Sequence, residues 1–124
     1  MAQLGARGEA FLNLDGEEKP ILFTNRALAQ AEKVVGKPML KLLQGLQEND
    51  LGIEDTAQIL AIGLEFGRRD AKAGGKPATT DDAWRAMDAI GFTQVVVTVM
   101  QAIAAVLSFS AEAEDESHPP APLS

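Results

Sequence analysis

Residues 91–110 read GFTQVVVTVMQAIAAVLSFS. This is the longest apolar run in the chain, and the fold turns on whether it is a strand, a membrane span or a helix. VVVTV alone favours a strand. The polar residues decide otherwise. Gln94, Thr98, Gln101 and Ser108 step by four, three and seven, with Ala105 filling the gap, which is one thin stripe at helical period. A strand would place Gln94 and Gln101 on opposite faces, and strands this long are rare. Two glutamines, two threonines and the lack of basic anchors on either side argue against a membrane span. The spacing predicts a helix over about 92–109 that is wet along one narrow stripe and needs cover elsewhere.

Working back from that helix, Thr79-Thr80-Asp81-Asp82 has the pattern of a capping box. It predicts a helix ending at Gly91, with Ala83, Trp84, Met87 and Ile90 facing inward. Loop 69–79, with Gly74-Gly75 and Pro77, reads as a flexible linker. Ahead of it a helix over about 53–68 has a polar stripe of Glu54, Gln58, Ala61, Glu65 and Arg68. The rest of it is almost wholly apolar, wider than one covered face requires. Two shorter helices precede it, over about 25–35 and 38–48. Thr24 or Asn25 caps the first, Gly36 closes it, and Pro38 opens the second. Residues 8–24 alternate as a β-hairpin around Asp15-Gly16, with a loop from Asp15 to Lys19 and a bulge expected. The fold class is α+β, mostly α: an N-terminal hairpin followed by about five helices. Residues 1–109 form a single domain, and 110–124 are expected to be a disordered acidic, Pro-rich tail.

The chain has 124 residues, a net charge of −7 and no cysteine. Its sign repels nucleic acid and anionic lipid. The lack of cysteine excludes disulfides, a thiolate nucleophile and Cys-based zinc sites. The N-terminus shows no signal-peptide pattern, so a soluble cytoplasmic protein is expected. Charge is unevenly placed: 67–79 holds Arg68, Arg69, Lys72 and Lys76 against Asp70, while 111–124 holds four acids and no Lys or Arg.

Nothing in the chain spells a reaction. The single histidine, His118, lies in the tail with nothing to orient it. The acids of the tail lack the fixed cage of a calcium loop. GGKPATT at 74–80 departs from the phosphate-loop pattern, since Asp70 stands where its first Gly belongs and Pro77 follows Lys76. The turn at Gly36-Lys37-Pro38 could imitate a helix-turn-helix, but only Lys41 and Gln44 would face bases. No catalytic residue, metal ligand or cofactor is expected. What remains is surface for another protein.

The order of elements resembles a family. RGEAFLNLDGEEKPILFT looks like the N-terminal hairpin of the small tail assembly chaperones of siphophages and gene transfer agents. ALAQAEKVVGKPMLKLLQGL is similar to their helix, glycine turn and Leu-rich helix. DLGIEDTAQILAIGLEFG and FTQVVVTVMQAIAAVLSFS, with the loose acidic end, fit the same layout. The likeness covers about residues 7–109.

The resemblance implies a noncatalytic bacteriophage tail assembly chaperone in the host bacterial cytoplasm. It would hold the long helical tape-measure protein while the tail tube assembles. Tail tube subunits and a frameshifted longer form of the same protein are further implied partners. The residues expected to meet the tape measure are Val96, Val99, Met100, Ile103 and Leu107, with Ile59, Ile62 and Phe66 opposite. The alternatives are a structural tail or neck subunit kept in the particle, and a small DNA-binding regulator.

Overall fold

A computed structural model of the chain describes residues 8–14, 16–48 and 50–117, with side chains described as far as Leu107. Strands β1 (Glu9–Leu14) and β2 (Glu17–Leu22) form a two-stranded antiparallel sheet. Helices α1 (Asn25–Val35), α2 (Met39–Gln47), α3 (Ile53–Asp70), α4 (Thr80–Ile90) and α5 (Phe92–Ser117) follow.

The hairpin register is continuous from Glu9 opposite Leu22 to Leu14 opposite Glu17. The expected bulge is therefore absent from the ladder. The connection spans only positions 15 and 16, with Gly16 at φ 80°, and Asp15 lies outside the described residues. Leu12 and Ile21 point into the core, while Phe11 is exposed.

The helix ends follow local chemistry. Thr24 caps α1 by accepting the Ala27 N–H at 3.1 Å, and Gly36 closes it in the left-handed region, donating to the Glu32 carbonyl at 2.7 Å. The Glu32 carboxylate accepts the Met39 N–H at 2.6 Å, so one side chain ties the end of α1 to the start of α2. At α4 the Asp82 carboxylate accepts the Thr79 N–H at 2.9 Å, the reciprocal half of a capping box. That bond, with Arg85 nearby, holds the Asp82 carboxyl below its ordinary range.

Helix α3 lies at the centre, packed against β2, α1, α4 and α5. This explains its excess of apolar residues: it is covered on several sides. Its sequence 63–67, GLEFG, makes the closest approach possible. A Cβ on Gly63 would lie 2.6 Å from the Phe23 ring, and one on Gly67 would lie 2.2 Å from the Pro20 carbonyl oxygen. Strand β2 and the residue after it therefore cross α3 where it has no side chains. The expected wet stripe of α3 is only partly wet, since Ala61 and Glu65 are buried.

Helix α5 turns back from α4 through a bend of 117° at Gly91, whose φ is 108°. It packs on β1, α2, α4 and α3. The helical period read from the sequence holds, but the helix continues to Ser117 rather than ending near 109. Ala111, Glu112, Ala113 and Glu114 are good helix formers, which accounts for the extension into the expected tail. Residues 118–124, including His118, lie outside the described residues. Trp84 was expected to face inward but is exposed on α4. Ala83, Ala86 and Met87 take the interior positions of α4.

Candidate partner-binding surface

The eight residues expected to meet a partner divide into two groups. Ile59, Val99 and Ile103 are fully buried, and Val96 nearly so. These four are core, which corrects their placement on a docking surface. Val96, Val99 and Ile103 lie on α5, which packs on β1, α2, α3 and α4, and Ile59 lies on α3, which packs on β2, α1, α4 and α5, so their apolar area is already covered. Ile62, Phe66, Met100 and Leu107 are half-buried and remain accessible.

The wet face of α5 also differs from the expected stripe. Thr98 is buried; its hydroxyl donates to the Gln94 carbonyl at 3.0 Å and accepts from the Gln94 amide at 3.4 Å. The pairing satisfies the hydroxyl within the helix, which lets a polar residue sit inside. Gln94 and Gln101 of the expected stripe are exposed and Ala105 is half-buried, and the outward face also takes in Thr93, Val97 and Ala104, flanked by Met100 and Leu107. Val97, Met100, Ala104 and Leu107 thus form a half-buried apolar seam spaced three, four, three, with Met100 and Leu107 also packed against the core. That spacing is the a/d pattern of a helix that receives another helix. The sequence reading missed Val97 and Ala104, although the spacing was legible, because it took the polar stripe as the whole outer face.

The accessible residues of α3 belong to a different place. Val34 and Gln30 of α1, Gln58, Ala61, Ile62, Glu65, Phe66 and Arg69 of α3, and residues 78–80 line an open groove of about 360 Å³. No α5 residue lines it, so Ile62 and Phe66 do not face Met100 and Leu107 across one cleft. Val34 is 52% exposed, which leaves apolar surface at the groove's edge. The Arg69 guanidinium stands 5.6 Å from the Phe66 ring centroid, a cation–π contact at the other end.

Between these features sits a carboxylate that the sequence pattern places on the wet stripe of α3 with no further role. Glu65 is buried and accepts from Arg68 Nε at 2.9 Å, Arg68 Nη2 at 2.7 Å, Arg69 Nε at 2.6 Å and the Ala78 N–H at 2.7 Å. Arg68 also donates to the Ala73 carbonyl at 3.1 Å. The stretch read as a free linker is therefore tied at both ends to one carboxylate. The Arg68 guanidinium is the largest cause that lowers the Glu65 carboxyl from 4.5 to about 2, with the Ala78 N–H and Arg69 adding to it and burial opposing. Arg68 is correspondingly raised by Glu65. With all its bonds internal, Glu65 serves as a clamp for 71–79.

Among the described residues no group of three or more His, Cys, Asp or Glu is placed to hold a metal ion. Among them, too, no single helix is long and apolar enough to cross a membrane; α4 and α5 pass that test only as a bent pair. Compared with known proteins, the chain matches no family model, no curated protein and no solved structure. The likeness to tail assembly chaperones rests on the sequence stretches that carry it.

Proposed function

We propose that the protein is a noncatalytic binding protein for a helical client, acting as a phage tail assembly chaperone that keeps the tape-measure protein soluble in the host cytoplasm. One observation carries the binding half of this reading: the half-buried, still accessible seam Val97, Met100, Ala104, Leu107 on the longest helix of the fold. A long helical client exposes apolar seams of the same spacing until the tube covers it, and knobs from such a seam fit between residues three and four apart. The client's identity comes from the family resemblance. The groove beside Val34, Ile62 and Phe66 offers a second, smaller contact.

Co-expression with the tape-measure protein tests this. Val97→Asp and Ala104→Glu change half-exposed side chains, so both variants should stay folded by circular dichroism while the tape measure moves into the insoluble fraction. If the folded variants keep it soluble, the seam is not the contact. If the unaltered protein fails to keep it soluble, the chaperone assignment itself falls.

A structural subunit of the particle is the competing reading. The two-stranded sheet favours it, since among the described residues each strand has one strand neighbour and could accept another. Mass spectrometry of purified particles separates the two: a chaperone is scarce there, whereas a subunit is stoichiometric.

A further inference from the structure

The positive stretch 68–76 is not used by the client-binding reading, yet it is built into a cavity. A half-open cavity of about 470 Å³ lies between the hairpin, the end of α3, the clamped segment and α4, and its charged lining is Glu17, Lys19, Arg68, Lys76, Asp82 and Arg85. Four cations line it against two carboxylates, in a chain whose net charge is −7. Lys19 pairs with Glu17 at 3.5 Å, Arg85 pairs with Asp82, and Arg68 is held by Glu65. No ion pair engages Lys76 among the described residues, and Arg85 is 73% exposed at its side chain. The rest of the lining includes the apolar side chains Leu14, Pro20, Leu64, Ala78, Ala86 and Ala89. The matching ligand carries several carboxylates and small apolar side chains.

The chain contains such a segment. Residues 111–116 read AEAEDE: Ala113 separates Glu112 from Glu114, and Asp115 and Glu116 follow directly. We propose that the cavity between the hairpin, the 71–79 segment and α4 receives the acidic C-terminal segment of a second copy of this chain. Reach excludes the same copy. Helix α5 runs unbroken to Ser117, and at 1.5 Å per residue with the 117° bend from α4, the acids lie roughly 25–30 Å from the α4 residues that line the cavity. The contact is therefore head-to-tail. Heterologous contacts of this kind need not close, and they give concentration-dependent chains of protomers. The attraction is local: elsewhere the two copies repel, so the cationic lining is where an acidic segment gains by docking. This inference does not depend on the identity of any client.

The test uses the full chain and a synthetic Ser110–Ser124 peptide. Titration followed by amide shifts should perturb Gly74, Lys76 and Ala78. The shifts should vanish for a peptide with its four acids changed to glutamine. Lys76→Glu with Arg85→Gln, both at exposed positions, should weaken the peptide by about fivefold or more while leaving the thermal midpoint close to that of the unaltered protein. In sedimentation, concentration-dependent association should be reduced equally by the cavity variant and by Glu112, Glu114, Asp115 and Glu116 changed to glutamine. Any of three results overturns the proposal: no shift at millimolar peptide, shifts indifferent to these charges, or the same shifts from inorganic phosphate alone, which would mark a small-anion site.

Discussion

Replacing Gly67 by alanine sets two physical effects against each other, and the structure says which wins. Alanine in a helix interior is favoured over glycine by about 1 kcal/mol, so propensity alone predicts a more stable protein. At Gly67 the added Cβ would lie 2.2 Å from the Pro20 carbonyl oxygen and 2.7 Å from its carbon. Both obstacles are backbone, held in a strand hydrogen-bonded along its length to β1, so the hairpin must shift by about 1 Å as a unit to restore ordinary contact near 3.5 Å. Overpacking of this kind costs about 2–3 kcal/mol. The net expectation for Gly67→Ala is a loss of roughly 1–2 kcal/mol, or about 4–8 °C in thermal midpoint for a chain of this size. Gly45→Ala is the control. Its Cβ would meet the Leu51 side chain at 3.5 Å, an ordinary contact, so it keeps the propensity gain and should raise the midpoint by about 2–4 °C. Thermal unfolding by circular dichroism, with urea titration as a check, reads both. A Gly67→Ala protein as stable as the Gly45→Ala protein would refute the seating of β2 on α3.

Other substitutions probe separate links. Glu65→Gln removes the clamp's charge. The carboxyl's fall from 4.5 to about 2 corresponds to about 3 kcal/mol, but Arg69 is mostly exposed and solvent screens part of it, so about 1–2 kcal/mol is expected at pH 7. Because the folded value lies below the unfolded one, this contribution is present above about pH 4.5 and is lost as the pH falls toward 2. The gap between Glu65→Gln and the unaltered protein in urea should therefore close over that range, and a pH-independent gap would contradict the ion-pair account. Thr24→Ala deletes the acceptor for the Ala27 N–H and should cost about 1 kcal/mol. Ile103→Asp places a carboxylate at a fully buried position and should unfold the protein, whereas Leu40→Gln, 73% exposed, should stay within about 0.5 kcal/mol.

Legibility followed the range of the interaction. The hairpin, the start of every helix and the stops at Gly36 and Gly91 could be read from the sequence, because caps, turns and periodicity act over a few residues. The helical period of 92–109 was set by the spacing of Gln94, Thr98 and Gln101. The extension to Ser117 follows from helix-forming alanines and glutamates in a stretch whose acidic composition points the other way, toward a disordered tail.

The sequence by itself determined which segments are helix and strand, since backbone hydrogen bonding and side-chain period are local. Only the tertiary structure decided which apolar residues are core and which are surface. On α5 nearly every face is apolar, so composition could not say that Val99 and Ile103 go inside while Val97 and Ala104 stay outside; the positions of α2, α3 and β1 settle that. Nor could it show that Glu65 would be buried among Arg68, Arg69 and the Ala78 N–H, since the last of these partners lies thirteen residues away. Gly63 and Gly67 gain their role only when β2 arrives. Burial depends on how many neighbours surround a residue, and that number is fixed by chain elements brought together from distant positions.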